Sequence, residues 1–409
     1  MNIIMGIVGC SSIILVAYLL SENKKLINIR TVSIGFILQV VFGYLVLKWQ
    51  FGKDVIQYIS DGINEIINSG GEGLEFVFGP LADNDGDVGI FGVTVLGMII
   101  FLTILIELLY HFGIMQLIVR FLGGFISKIM QVSFSESTAA AANMFVGNTQ
   151  APLVIKPYIK NMTKSQLFSV MVGSLASVSG AVMIGLAALG IPLEYLLSAA
   201  VMSAPAGIMI AKFIIPEVEK VSENEWKETS TISEGNKEKR NIIGVISESS
   251  KEGLRFAVNV GLMLIAFIGL IALLNTVLGW GGSLIGFDNL SIELILGYIF
   301  APLAFIIGIP WDEAVLAGNM LAQKVLLNEF VAFTNLSTVL DSISERSLAI
   351  LTFALSGFAN FGAAGSIVAM LSDMVPQRKV IIERLMMKAL IAATLANLLN
   401  GAIVAMFIS

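Results

Sequence analysis

Two polar stretches interrupt a chain that is otherwise strongly apolar. The first, "GNTQAPLVIKPYI" at 147–159, combines amides, a threonine and a lysine with two prolines that break a helix. The second, "GNMLAQKVLLNEFVAF" at 318–333, places the acid Glu329 between apolar neighbours. Amides, free backbone groups and one carboxylate can bind a polar ligand, whereas the chain has one histidine and neither H-E-x-x-H nor G-x-S-x-G. The pattern therefore predicts ligand binding and not an enzyme.

The composition places these polar stretches in a membrane. The 409 residues are 56% hydrophobic and 13% charged, with a mean hydropathy of +0.88, whereas soluble domains carry about 25% charged residues. A bilayer core needs about 20 apolar residues per helix. Runs of this kind lie at Ile3–Leu20, Thr31–Leu47, Val88–Ile106, Leu167–Leu189, Tyr195–Ala211, Phe256–Gly286, Leu348–Met370 and Ala389–Ile408. We therefore predict an all-α membrane protein with about eight transmembrane helices.

Charges in the loops give an orientation. Lys24, Lys25 and Arg30 lie between the first two runs, and the positive-inside rule places that loop in the cytoplasm. Alternation from there leaves Lys324 and Arg346 on the outer side. The net charge of −6 is spread over the loops without a basic face, so no nucleic-acid partner is expected. We expect a multi-pass protein of the plasma (inner) membrane, in contact with the lipid bilayer.

Two further segments are too polar to span. Residues 51–87 are interpreted as a short amphipathic helix followed by an outer turn. Within them "DNDGD" at 83–87 suggests a calcium loop, but the remaining ligands of an EF-hand are missing. The segment "PEVEKVSENEWKETSTISEGNKEKR" at 216–240 is typical of a solvated linker and divides the chain into two halves.

The two halves contain an internal repeat. Asn143 and Met144 of "ESTAAAANMFVGNTQAPLVIKPYI" match Asn319 and Met320 of "DEAVLAGNMLAQKVLLNEFVAF", and the tripeptide at 176–178 matches that at 359–361. The orientation given above makes the copies inverted, and paired, interrupted apolar segments in inverted halves indicate a transporter site near the bilayer midplane. Chance similarity of apolar sequence is the alternative, as is a Glu329 that only pairs with Lys324 or Arg346. On the first interpretation both stretches are re-entrant hairpins with broken tips.

Three motifs carry a family resemblance. "NMFVGNTQAPLVIKPYI", "LNEFVAF" and "SERSLAILTFALSGFANFG" together resemble the concentrative nucleoside transporters (CNT), the NupC-like cation–nucleoside symporters, and the likeness runs from about residue 31 to the C-terminus. The resemblance implies two opposed re-entrant hairpins in inverted repeats, interfacial helices and a homotrimer. It also implies a secondary active transporter that imports nucleosides with a cation by elevator-like alternating access.

The resemblance also implies roles for particular residues. The nucleobase contacts fall on Asn148, Thr149 and Gln150, with Val182 and Phe358 beside the ligand and with Glu329 and Asn360 on the ribose hydroxyls. The sodium ligands fall on Asn143, Val146, Ser177 and Val178. The chemistry agrees, because an ionised carboxylate can accept from vicinal hydroxyls, and neutral oxygens suit a hard cation such as Na+.

Two departures from the family bear on substrate and ion. Gln150 stands where the family usually has glutamate, and Ala363 where many members have serine. An amide both donates and accepts, whereas an ionised carboxylate only accepts, so we expect a different base preference. The missing acid also removes a candidate proton carrier, which favours Na+ over H+ as the coupling ion. Proton-coupled symport and a passive pore for a small polar solute are the alternatives, and no organic cofactor is expected.

These considerations divide the chain into five parts. We expect scaffold helices at 1–113, a first repeat with interfacial helix, hairpin and two transmembrane helices at 114–214, a cytoplasmic linker at 215–253, a scaffold helix with an outer loop at 254–289, and a second repeat with the other hairpin and two transmembrane helices at 290–409.

Overall fold

Helices account for nearly all of the described chain. The computed structural model describes residues 2–82, 90–148, 150–219, 241–284, 286 and 290–408, and these ranges contain no strand. The helices are α1 (Asn2–Leu19), α2 (Ile29–Leu47), α3 (Gln50–Phe78), α4 (Phe91–His111), α5 (Ile114–Met130), α6 (Phe134–Val146), α7 (Ala151–Val154), α8 (Lys156–Ile159), α9 (Lys164–Ala176), α10 (Gly180–Ala187), α11 (Leu193–Ile214), α12 (Ile242–Leu284), α13 (Ile292–Ile306), α14 (Trp311–Leu326), α15 (Glu329–Ser337), α16 (Glu345–Leu355), α17 (Phe361–Met374) and α18 (Lys379–Phe407).

Where the structure describes them, the predicted apolar runs fall mainly on helix, but only some of the helices could cross a bilayer by length and composition alone. In the described ranges six helices, counting α9 with α10, meet that test, and α13 with α14 would add a seventh although they are bent by 114°. Helices α1 and α17 are apolar but shorter. The prediction of a membrane protein is thus supported. Some of the predicted spans are, however, interrupted by short non-helical segments.

Two of the predicted spans are broken. The run at 167–189 divides between α9 and α10, where Ser179 caps α10 by accepting from the Val182 N–H at 3.4 Å. The run at 348–370 divides between α16 and α17, where Asn360 caps α17 by accepting from the Ala363 N–H at 2.8 Å. The prediction of one continuous helix was therefore wrong at both places, because a capping residue with extended backbone starts a new helix there. We call residues 177–179 the first break and 356–360 the second break.

The segments assigned to turns and linkers hold more helix than expected. Helix α3 has 29 residues and is not short, and its Gly70 lets it approach α4, since a Cβ there would lie 2.6 Å from the Phe101 ring. Helix α12 begins at Ile242, inside the stretch expected to be linker up to residue 253. The suggested calcium loop at 83–87 and residues 220–240 lie outside the described residues.

The element order repeats. Helices α5, α6, α7 with α8, α9 with α10, and α11 correspond in order to α13, α14, α15, α16 with α17, and α18. We call 114–214 the first repeat and 292–407 the second repeat, and we call α6–α8 the first hairpin and α14–α15 the second hairpin. The tripeptide matched at 176–178 does not correspond by helix position to that at 359–361. The cap equivalent to Asn360 is Ser179, because the second break is longer.

The core lies where the two repeats meet. In the apolar stretches of α9 and α11, 89% of residues are buried, and in that of α18 78%, against 11% in α12. Helices α9, α11 and α18 pack on one another, while α12 packs along α4 and leaves most of its surface exposed. The polar hairpins and breaks are therefore held by the best-buried part of the protein.

Candidate functional site

The acid of the second hairpin lies at a helix start, opposite the second break. Glu329 is the first residue of α15, where the helix dipole favours a carboxylate, and it is 6% exposed. Its Oε2 accepts from the Nδ2 of Asn360 at 3.0 Å. Because Asn360 uses its Oδ1 to cap α17, its NH2 group is the end that faces the acid. Sequence reasoning assigned these two residues to one site, and the structure brings them together.

The tip of the first hairpin rests on the first break. Gly147 caps the C-terminal end of α6; its φ of +95° favours glycine, and a Cβ there would lie 3.3 Å from the Cβ of Ser179. Gln150 takes the cap position of α7 without a side-chain cap bond, and both Asn148 and Gln150 are half-buried. Thr149 lies outside the described residues. The broken tip thus presents amide side chains that the helix does not use.

Neutral oxygens gather at the end of α9. Asn143 is fully buried, and its Nδ2 donates to the carbonyls of Gly173 at 2.9 Å and Ser174 at 3.2 Å. Its Oδ1 has no hydrogen-bond partner among the described residues. The Oγ of Ser177 donates to the Val178 carbonyl at 3.1 Å. A buried amide oxygen without a donor, at the negative end of a helix, fits a hard cation held by neutral ligands.

The remaining predicted positions surround this region. Val146 is the last residue of α6 and half-buried. Val182 is buried in the first turn of α10, and Phe358 is buried in the second break. Helix α10 also reaches the second hairpin, because a Cβ on Gly185 would lie 3.5 Å from the Phe330 ring.

The two breaks touch each other. The Phe358 N–H donates to the Ser177 carbonyl at 3.4 Å. Asn397 of α18 is fully buried, and its Nδ2 donates to the carbonyls of Ala176 at 2.5 Å and Ser356 at 3.3 Å. A Cβ on Gly357 would collide with the Asn397 amide, so only glycine permits this approach. The breaks therefore form one polar centre to which both hairpins are attached.

A buried lysine in this centre was not foreseen. Lys324 was expected in an outer loop, but it is 1% exposed, and its Nζ donates to the Ala354 carbonyl at 2.8 Å and to the Asn397 Oδ1 at 2.6 Å. Arg346 is also buried and donates to the carbonyls of Gly308 and Ala405, each at 3.0 Å. A lysine within the apolar helical stretch "LAQKVLL" was the available signal, since charge at membrane depth is costly and marks a function.

Each hairpin is anchored through the third residue of its first helix. In the first repeat, Glu136 forms an ion pair of 2.8 Å with Lys212, whose Nζ also donates to the Ser165 Oγ at 3.0 Å. In the second repeat, Glu313 accepts from the N–H and the Oγ of Ser344, both at 2.8 Å. Ser344 caps α16, so Glu313 attaches its hairpin directly to the start of a broken helix, whereas Glu136 reaches the start of α9 only through Lys212 of α11.

The sequence matches known transporter families along nearly the whole chain. Residues 8–81 and 195–405 match family models described as the N-terminus and C-terminus of Na+ dependent nucleoside transporters, and 92–193 match one described as nucleoside recognition. The nucleoside permease NupC of Helicobacter pylori is 42% identical over 98% of this chain and 97% of its own. The chain belongs to the concentrative nucleoside transporter family.

Other members of the CNT family agree. The uncharacterized transporter YutK of Bacillus subtilis is 46% identical over the full length of both chains. CNTnw, whose structure was solved in an inward-facing substrate-bound state, has 40% sequence identity to this chain. The two structures superpose with a TM-score of 0.93, over 100% of this chain and 98% of that one. The predicted all-α CNT fold, with two opposed hairpins in inverted repeats, is confirmed, and the relatives are transporters and not enzymes.

Proposed function

We propose that this CNT protein imports nucleosides across the plasma membrane by symport with Na+. The observation that carries the proposal is the contact between the breaks, which joins the Glu329–Asn360 pair to the neutral oxygens around Asn143. An acid suited to ribose and a set of oxygens suited to sodium are thereby connected through backbone.

The nucleoside would bind between the hairpin tips. The Glu329 carboxylate accepts from both ribose hydroxyls, in charge-assisted bonds about twice as strong as neutral ones, and Asn360 holds the acid in place. The nucleobase takes the tip of the first hairpin, where Asn148, Thr149 and Gln150 offer donors and acceptors. The apolar wall beside it is made of Val182 and Phe358, both buried.

The sodium ion would bind at the first break. Its ligands are the side-chain oxygens of Asn143 and Ser177 and the backbone carbonyls of Val146 and Val178. Phe358 donates to the carbonyl of Ser177, so an ion that fixes Ser177 also fixes the wall of the nucleoside site. Each ligand then favours the other by a reciprocal coupling free energy, typically 1–3 kcal/mol.

Transport would follow by movement of the loaded hairpins and broken helices against the scaffold, in an elevator-like cycle. Support comes from the contacts that tie each hairpin to its own repeat, Glu136 to Lys212 of α11 and Glu313 to Ser344 at the start of α16. It also comes from the similarity to CNTnw, variants of which have been solved in outward-facing and intermediate states. Assembly as a homotrimer is part of the same proposal, and native mass spectrometry of the purified protein checks it.

Uptake by proteoliposomes tests the coupling. Purified protein is reconstituted with an inward Na+ gradient at clamped voltage, and labelled uridine is followed with and without monensin. We expect accumulation above the external concentration, collapse with monensin, and uridine recovered unchanged. Accumulation under an imposed proton gradient alone would assign the protein to proton coupling, and equal concentrations on both sides under every gradient would assign it to a passive pore.

A further inference from the structure

Lys324 is a buried lysine that the proposed transport cycle does not use. It lies near the end of α14, is 1% exposed, and gives its described hydrogen bonds to two neutral oxygens, the Ala354 carbonyl and the Asn397 Oδ1. Burial of an ammonium group is costly, so a lysine retained among carbonyls at this depth calls for a function.

The register of the two hairpins shows what Lys324 replaces. Glu136 and Glu313 are both third residues of their helices and both anchor their hairpin, so they align the two copies. Eleven residues after Glu136 stands Gly147, where α6 has ended, whereas eleven residues after Glu313 stands Lys324, still within α14. The second hairpin thus extends its first helix by nearly one turn and places an ammonium group where the first hairpin has an open tip.

The partners of Lys324 complete the correspondence. Ala354 lies in the last turn of α16, as Gly173 and Ser174 lie in the last turn of α9. In the first repeat these last-turn carbonyls meet Asn143, whose Oδ1 is left without a donor. In the second repeat they meet the ammonium group of Lys324. Both sites therefore place a nitrogen donor at the negative end of a broken helix. In Asn143 that donor is neutral and the Oδ1 beside it can bind a cation, whereas Lys324 brings a cationic group of its own.

We propose that Lys324 is a fixed cation, which supplies at the end of α16 the positive charge that the exchangeable coupling ion, bound through Asn143, supplies at the end of α9. The inference rests on the proposed function and deepens it. Through Asn397, which bonds both the end of α9 and the second break, Lys324 also positions the Glu329–Asn360 pair.

Replacing the lysine tests this directly. In Lys324→Ala a cavity ringed by the same oxygens faces an unbalanced Glu329, and we expect an external cation to enter it. Fluxes of radioactive sodium and labelled uridine are measured in parallel in proteoliposomes, and the sodium-to-uridine ratio should rise by about one relative to wild type. Lys324→Arg keeps the charge and should keep the wild-type ratio. Lys324→Gln, which is neutral but keeps a donor, should resemble Lys324→Ala and replaces it if the alanine variant does not fold.

A matched control and a second measurement separate the possible failures. Lys388→Ala removes a lysine of α18 that contacts Glu22 at the surface, and it should leave the ratio unchanged. Thermal unfolding in detergent, in NaCl against choline chloride, should show a sodium stabilisation in the alanine or glutamine variant beyond that of wild type, whichever ion wild type uses. Absence of sodium-driven uptake by wild type would overturn the proposed coupling alone. Equal ratios and equal sodium stabilisation in all Lys324 variants and wild type would overturn the fixed cation.

Discussion

The two repeats use one architecture for two kinds of chemistry. In the first, the hairpin meets the end of the helix before the break through an amide, Asn143, and the hairpin tip is open and uncharged. In the second, it meets the corresponding helix end through Lys324, and the hairpin carries Glu329 at the start of its second helix. The repeated backbone therefore provides two similar helix ends, those of α9 and α16. The side chains that meet them determine which end can bind and release a cation.

The contacts that anchor the two hairpins also differ in charge. The first hairpin is attached by a buried ion pair between Glu136 and Lys212, whereas the second is attached by hydrogen bonds from Ser344 to Glu313. The first repeat, whose hairpin tip is neutral, thus has an anchor in which both partners are charged. The second repeat, whose hairpin carries Glu329, has an anchor in which only Glu313 is charged. The following five predictions test this division.

The largest effect is expected from the acid of the second hairpin. Glu329→Gln should lower nucleoside uptake about 100-fold or more, because two charge-assisted bonds to ribose are lost. Uptake of labelled uridine measures it. Glu313→Gln, an equivalent change in the same hairpin, should keep the substrate ranking. Wild-type uptake by Glu329→Gln at equal expression would remove the ribose assignment.

A smaller effect is expected from the asparagine of the first hairpin. Asn143→Ala should raise the sodium concentration for half-maximal uptake about tenfold or more, since it removes one ion ligand. The control in the second repeat is Asn319→Ala, which removes an acceptor from Gln323 at 3.2 Å. It should leave sodium dependence unchanged. Equal shifts in both variants would mean that the repeats do not divide the work as proposed.

The anchors should differ in stability. Lys212→Met leaves Glu136 buried without its cation and should cost about 3–5 kcal/mol, whereas Glu313→Gln, which weakens charge-assisted bonds, should cost about 1–3 kcal/mol. Unfolding in mixed micelles with increasing SDS gives both values. Combining Glu136→Gln with Lys212→Met should recover most of the first loss, and a double variant as unstable as Lys212→Met alone would argue against the ion pair as the anchor.

Base preference should follow the first hairpin only. Gln150→Glu should change the ranking of purine and pyrimidine nucleosides several-fold without stopping uptake, because a carboxylate cannot donate to the base. Competition against labelled uridine by a panel of nucleosides measures the ranking. An unchanged ranking would place Gln150 away from the base.

The smallest effect concerns a surface contact between the repeats. Glu22 accepts from Lys164 of α9 at 2.6 Å and from Lys388 of α18 at 2.8 Å. Burial would raise the pKa of Glu22, but the hydrogen bonds from both lysines lower it below its ordinary value of 4.5. The stabilisation is therefore present above about pH 4.5 and is lost as the pH falls through the lowered pKa.

Because this pair is exposed, its contribution should be about 0.2–1 kcal/mol and should fall with salt. Wild type and Glu22→Gln are compared by thermal unfolding at neutral pH and at pH values below the lowered pKa of Glu22. We expect a difference at neutral pH that disappears in acid. A difference that persists there would come from packing and not from charge.

Much of the fold could be predicted locally. Apolar runs of helix length locate the spans, and capping patterns mark helix starts, as in Ser133 with Glu136 and Thr163 with Gln166, which form capping boxes. The polar stretches located both hairpins. The breaks inside 167–189 and 348–370 escaped, because hydropathy taken over about 20 residues does not register a few small residues in an apolar run.

The sequence by itself determined that the protein is helical, lies in a membrane, contains two related halves and carries Glu329 and Asn360 in motifs typical of one family. Only the tertiary structure decided that the two breaks touch, that Asn397 joins them, and that Lys324 points inward. The bond from Asn397 to Ala176 spans 221 residues of sequence. Periodicity and composition report neighbours along one helix, whereas a site built from four chain segments depends on how those helices pack.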